Sequence, residues 1–314
     1  MKERPLISIV VPVFNEEESL SSLVARTNRV FERLGSYAWN YIFVNDGSTD
    51  SSLELLKAMA STNNNVRVID LSRNFGKEVA LSAGVIESEA AAVICMDADL
   101  QHPPEVIPEL IERWEAGVEI VATRRISMEG QPALRRLGSS TFYWLMNKIS
   151  DVEMSPDTTD FRLFDRKTVD VFKLLTERGR MFRGIFDWMG FHKEFVEFHA
   201  DARTTGDARY SYLQLFRLAM NSITSFSLFP LRLTGYLGLI VTFLSSMLGI
   251  WMLITRYFIN EQMFTPLSFV VVANTFLIGL VLTSIGLIAL YIGNIHAEVA
   301  NRPLYIIRER INFD

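Results

Sequence analysis

A single cysteine, Cys95, stands in the 314-residue chain. No intramolecular disulfide can form, and one thiol inside an apolar run reads as a small buried hydrophobe. Positive charge is also scarce: 31 lysines and arginines against 36 aspartates and glutamates leave a net charge of -5. That balance excludes nucleic acid as the main partner, because phosphate-backbone binding needs clustered cations. After the first apolar run there is neither a Gly-x-Gly-x-x-Gly fingerprint nor a Walker lysine loop, so dinucleotide and P-loop folds find no support. A secretory leader is not legible either. Residues 6–14 are apolar but short, contain Pro12 and meet Asn15-Glu16-Glu17-Glu18 without a small-residue cleavage site, which reads as a cytoplasmic amino-terminal domain.

Charge is missing altogether from two later stretches, 233–255 and 262–295. Each exceeds the roughly 20 residues that a helix needs to cross a bilayer. Arg232 precedes the first; Arg302, Arg308 and Arg310 follow the second, so the positive-inside rule places both ends in the cytoplasm. The expectation is a two-helix anchor integral to the plasma (bacterial inner) membrane, with the catalytic domain cytoplasmic. With no carboxylate or lysine inside, the hairpin is not a transport path. Leu213, Phe216, Met220 and Ile223 recur at helical spacing just before it, as in a helix lying at a membrane interface. The boundaries are then 1–210 for the catalytic domain, 211–230 for the amphipathic segment, 231–295 for the hairpin and 296–314 for a cytoplasmic tail.

What is present in the first two-thirds is a regular alternation of apolar runs and helical periodicity. Residues 7–14, 41–44, 66–71, 93–97 and 118–123 read as strands, with helices of 3.6-residue spacing between them. This predicts a doubly wound, mostly parallel α/β sheet. Ligands in such sheets bind at the strands' carboxyl ends. There Asp46, Asn74, Asp97, Asp99 and Arg124 all fall. In Asp97-Ala98-Asp99-Leu100-Gln101 two carboxylates alternate about the strand axis, so one can face a donor's sugar or ribose while the other meets a metal. Hard oxygen ligands of this kind, with Gln101 as a third, suit Mg²⁺ or Mn²⁺ bound jointly with a diphosphate. A solvated, Asp-rich turn is the plain alternative. Arg183, set among apolar residues, calls for an anionic partner. Asn15 is placed to cap the first helix.

Taken in order, Pro12-Val13-Phe14-Asn15-Glu16, Asn45-Asp46-Gly47-Ser48, Arg73-Asn74-Phe75-Gly76-Lys77, Asp97-Ala98-Asp99-Leu100-Gln101, Asp160-Phe161-Arg162 and Arg203-Thr204-Thr205-Gly206 resemble family 2 glycosyltransferases. Within them the chain is similar to the polyisoprenyl-phosphate branch, which holds bactoprenol glucosyltransferases and dolichol-phosphate mannose synthase. The resemblance implies a GT-A catalytic domain. It implies that Pro12, Phe14, Glu16, Asn74 and Gly76 contact the nucleotide, that Asp46 accepts a hydrogen bond from the base, and that Asp97 faces the nucleotide sugar. Asp99 and Gln101 would meet the cation. Arg124, Arg135 and Arg203, with Arg209, would hold the acceptor phosphate or donor diphosphate. Asp160 would orient or deprotonate the acceptor. Lys77 is read as a neighbour of the nucleotide and left out of the chemistry.

The implied reaction places a lipid phosphate oxygen on the anomeric carbon of a hexose while a nucleoside diphosphate departs. Glucose from UDP-glucose passing to undecaprenyl phosphate is favoured, by inversion, with GDP-mannose or another UDP-sugar as the alternative donor. A catalytically idle nucleotide-binding membrane adaptor is the alternative from another class. Apolar interfacial faces favour a homo-oligomer.

Overall fold

The computed structural model describes residues 4–126, 158–175, 182–198, 266–299 and 302–313, with Met247, Ile250, Trp251, Ile254 and Phe258 as single helical positions. These residues fall into two compact units. The first holds one eight-stranded mixed sheet and six helices. Its strands are β1 (Leu6–Val13), β2 (Ala38–Asn45), β3 (Val66–Leu71), β4 (Ala92–Cys95), β5 (Ile120–Arg125), β6 (Thr158–Asp165), β7 (Lys193–Phe198) and β8 (Ile307–Ile311). Its helices are α1 (Leu20–Leu34), α2 (Ser52–Thr62), α3 (Lys77–Glu87), α4 (Ile107–Glu115), α5 (Arg166–Leu174) and α6 (Phe182–Trp188). The second unit holds α7 (Pro266–Val299).

The sheet order is β7-β5-β6-β4-β1-β2-β3-β8. A parallel centre, β3-β2-β1-β4, is extended by antiparallel β6 on one side and antiparallel β8 on the other. Helices cover both faces, so the central strands are apolar on both sides and read as continuous runs rather than alternations. One core joins β1, β2 and β4 to α1 and α4; the other packs the opposite face against α3, α5 and α6. At Gly84 on α3, a Cβ would lie 2.4 Å from Cγ1 of Val10, so the helix backbone rides directly on β1.

Pro12 sits in the central strand, where a missing N–H should break the ladder. The register explains its tolerance. Val13 offers its carbonyl towards β2, accepting from Asp46 N at 2.8 Å, so even-numbered residues of β1 face β4. There the pairing ends at Val10 with Cys95. The last bond on that side is Met96 N to Val10 O at 3.1 Å; the next rung would need the N–H that Pro12 lacks, so the ladder ends there and a gap opens between β1 and β4. That gap, where the chain winds left to β4 and right to β2, is the switch point at which open α/β sheets take ligands.

Several expectations need correction. Asn15 does not cap α1: it lies in the left-handed region with φ 57°, its side chain accepts from Thr49 N at 2.8 Å, and the helix starts at Leu20. The segment set apart as a tail, 296–314, contributes β8 to the catalytic sheet. Among the described residues no helix is long and apolar enough to cross a membrane. This overturns the integral-membrane placement of the chain and leaves the two-helix hairpin within 231–295, most of whose first half lies outside the described residues, without a described spanning helix. Lack of charge over such a length permits a span but does not by itself make one. The amphipathic segment 211–230 lies outside the described residues.

Candidate active site

Four loops leave the carboxyl ends of β1 to β4 and are stitched into one rim. Asn15 N donates to Ser48 Oγ at 3.1 Å and Glu16 N to Ser52 Oγ at 2.9 Å, joining the loops after β1 and β2. Asp46, 2% exposed, accepts from Phe75 N at 2.7 Å and Gly76 N at 2.9 Å, joining the loops after β2 and β3. Burial pushes the Asp46 carboxyl up, and the two N–H donors oppose this. Gly47 makes the approach possible. Its φ is 71°, and a Cβ there would stand 2.6 Å from Asn74 N. Asn74 is exposed and Gly76 opens α3.

The Asp-x-Asp loop is fixed from below by a residue that the sequence does not advertise. His102, 2% exposed, stacks on Phe161 with ring centroids 5.3 Å apart and accepts from Asp97 N at its Nδ1, 3.0 Å away. An accepting Nδ1 carries no proton, and burial lowers the imidazole's pKa, so His102 is neutral with hydrogen on Nε2. At the loop tip Leu100 has φ 62°, a conformation costly for a branched side chain. Asp99 Oδ1 accepts from Gln101 N at 3.1 Å.

Lys77, the first residue of α3, joins the carboxylates. Its Nζ lies 2.7 Å from Oδ1 and 2.8 Å from Oδ2 of Asp97, and 2.7 Å from Oδ2 of Asp160. Arg183 Nε lies 2.7 Å from the other Asp160 oxygen, which supplies the anion its apolar surroundings called for. Asp160 comes from β6 and is 3% exposed. Burial would raise its pKa, but Lys77 and Arg183 outweigh burial and hold the carboxyl well below the usual range. Asp97 shifts the same way: burial is offset by Lys77. Burial would lower the Lys77 ammonium's pKa; Asp160 and Asp97 raise it instead. The result is a four-membered line, Asp97–Lys77–Asp160–Arg183, charged throughout at neutral pH. Two ion-paired oxygens make Asp160 a poor proton acceptor and a good holder of cations.

Arg124 and Arg125 end β5. Arg124 stacks its guanidinium 4.6 Å from the Phe195 ring centroid, and Arg125 Nη2 donates to Gln101 Oε1 at 3.2 Å. The Nε of each is buried and makes no hydrogen bond among the described residues, which suits an anionic ligand. Arg135, Arg203 and Arg209 lie outside the described residues. Pro12 lines the switch-point gap, Phe14 follows it, and Glu16 accepts from Ser19 Oγ at 3.2 Å.

Among the described residues no group of three His, Cys, Asp or Glu side chains could hold a metal. Asp99 brings a carboxylate to the loop tip, whereas both Asp97 oxygens are held by Lys77 and the Gln101 amide oxygen is engaged by Arg125. A sparse, hard-oxygen set of this kind fits Mg²⁺ or Mn²⁺, which take one or two carboxylates and complete their shell with substrate phosphates and water.

The Glycosyl transferase family 2 profile matches residues 8–172. The SfII prophage-derived bactoprenol glucosyl transferase of Shigella flexneri is 42% identical over 304 residues, 96% of this chain and 97% of that one. An uncharacterized glycosyltransferase of Synechocystis is 38% identical over 303 residues, 96% of this chain and 95% of that one. Among solved structures, glucosyl-3-phosphoglycerate synthase from Mycobacterium tuberculosis shares 18% identity with a TM-score of 0.48, covering 70% of this chain and 76% of that one. Matched over more than half its length by the profile and over nearly all of it by these relatives, the chain belongs to glycosyl transferase family 2.

Proposed function

We propose that the chain transfers a hexose, glucose from UDP-glucose first, to a polyisoprenyl phosphate such as undecaprenyl phosphate. The observation that carries this reading is the line Asp97–Lys77–Asp160–Arg183 at the strand ends, beside the loop rim closed by Asp46. The bactoprenol glucosyl transferase relatives support the acceptor class. Pro12, Phe14, Glu16, Asn74 and Gly76 border the nucleotide, with Asp46 holding its loop and facing the base. Asp97 faces the sugar.

A phosphate oxygen of the acceptor attacks the anomeric carbon, the bond from that carbon to the diphosphate breaks, and its electron pair leaves with the nucleoside diphosphate. A phosphate monoester with a second pKa near about 6 is largely dianionic at neutral pH and needs no base. The obstacle is the meeting of two anions. Arg124 with its unpaired Nε, together with Arg135, Arg203 and Arg209, draws in the phosphates. Asp160 keeps Lys77 and Arg183 fixed where charge develops, so little reorganisation is needed at the moment of reaction. A divalent cation held by Asp99, beside Asp97 and Gln101, would neutralise charge on the departing diphosphate. A single displacement inverts the anomeric centre, and among the described residues no side chain at the strand ends is placed as a nucleophile for a double displacement.

The test incubates purified chain with a panel of radiolabelled nucleotide sugars and detergent-dispersed undecaprenyl phosphate. An organic-extractable, acid-labile lipid monosaccharide made best from UDP-glucose is expected, and NMR should show the inverted anomer. A label that stays aqueous with every donor, while the chain still binds nucleotide, would leave the idle-adaptor reading standing.

A further inference from the structure

A line of polar groups, exposed at Arg308 and buried beyond it, approaches the same rim from the sheet edge. On β8, Arg308 Nη1 donates to Asp70 Oδ2 at 3.2 Å and Nη2 donates to the Ser72 carbonyl at 2.6 Å. The other Asp70 oxygen accepts from Asn45 Nδ2 at 2.7 Å, and Asn45 Oδ1 accepts from Ser48 N at 3.2 Å. Asp70 and Asn45 are each 1% exposed. A guanidinium on the last strand is thus joined, through two buried side chains, to the backbone of Asp46-Gly47-Ser48.

We propose that Arg308 is a positioning residue for the nucleotide end of the donor site, a role that rests on the donor reading above. The physical reason lies in the Asn45 amide, which could present either its oxygen or its nitrogen to Ser48 N–H. Only the oxygen can accept. An ionised Asp70 is acceptor-only, so it demands the amide nitrogen and leaves the oxygen for Ser48. Arg308 neutralises that buried charge and aims it, and the choice propagates to the loop. The same guanidinium grips the Ser72 carbonyl, while Ser72 N donates to Ile306 O at 2.9 Å. Both loops that close on each other at Asp46 are therefore tied to the last strand.

Arg310 provides the control. It lies on β8 too and pairs with Glu87 through two bonds of 2.8 and 3.2 Å, but has no place in the line to Ser48. Calorimetric titration of the full chain with UDP and with GDP, alongside steady-state kinetics, tests the proposal. Arg308→Ala should weaken nucleoside diphosphate binding and raise the donor KM about tenfold, the loss expected when a charge-assisted hydrogen bond goes. Its kcat should stay within about twofold and the acceptor KM should not move, since neither phosphate-binding nor reacting groups touch Arg308. Arg310→Ala should leave donor KM at the wild-type value. Arg308→Lys, which can serve Asp70 but not Ser72 at the same time, should fall between and guards against an alanine variant that fails to fold. Equal effects of the two alanine variants, or a lower kcat at unchanged donor KM, would overturn the proposal. A wild-type chain that binds neither nucleotide would overturn the donor reading and this role with it.

Discussion

Lys77 touches both carboxylates of the proposed chemistry, although the sequence places it only beside the nucleotide and outside that chemistry. Its importance is a matter of reach: Asp97 and Asp160 are 63 positions apart, and nothing local says that their side chains meet at one ammonium. Replacement Lys77→Met should lower kcat by about two orders of magnitude, the scale of losing one preorganised charge. It should also cost about 1–2 kcal/mol of stability, less than a fully buried pair because the ammonium is 38% exposed. The pH dependence has a definite sign. In the wild type, Asp97 and Asp160 are depressed, so their contribution is present above the ordinary carboxylate range and lost only in strong acid. Lys77 is raised, so its contribution is lost only in strong alkali. Thermal midpoints should therefore be flat across neutral pH. In Lys77→Met burial governs Asp97, whose folded pKa rises above the unfolded value, and the midpoint should climb as pH falls from neutrality into acid. A variant as insensitive to acid as the wild type would contradict this account of the line. His102 offers a second contrast. Phenylalanine keeps the stack on Phe161 but removes the acceptor for Asp97 N, so His102→Phe should cut kcat more than about tenfold while unfolding by denaturant shifts by only about 1–3 kcal/mol. Equal loss in His102→Phe and in variants that merely destabilise the core would make the histidine a packing residue.

At the scale of elements, the parallel centre was legible because buried strands and amphipathic helices leave periodic signatures. Residues 66–71 and the helix ending at Glu87 agree with β3 and α3. Antiparallel β8 was not, and β6 only in part: 157–165 reads as a polar turn entering a short strand, whereas Thr158–Asp165 is strand throughout, and its partners β4 and β5 are distant in sequence. β8 reads Ile307-Arg308-Glu309-Arg310-Ile311, an edge strand with charges between two apolar ends. Such charges are what keep an open edge from pairing with another chain. The loops obey a similar long-range logic at Gly47, where φ is positive and the facing backbone leaves no room for a Cβ. Gly47→Ala should destabilise the fold by about 1–3 kcal/mol and raise the donor KM, because both loops must part. Denaturant unfolding with donor kinetics checks it; an unchanged donor KM would detach that loop from the nucleotide.

Over the whole molecule, the alternation of apolar runs with helical periodicity pointed to an α/β unit, and the order of short motifs pointed to the family. Carboxylates at strand ends were visible because turns and apolar runs bracket them. The cations that neutralise those carboxylates were not, except for Arg183, whose apolar neighbours betrayed a need for an anion. Uncharged length, by contrast, suggested membrane spans that no described helix provides. The central claim is that positioned cations, and not proton removal by Asp160, carry the transfer. It is tested most directly by the pH dependence of kcat/KM, measured with a polyisoprenyl phosphate and with the matching phosphonate, whose second ionisation lies higher. The account predicts an acid limb near about pH 6 for the phosphate that moves upward with the phosphonate, since the acceptor's own charge is being titrated. An acid limb that stays at one pH for both acceptors would assign the titration to the protein and contradict it.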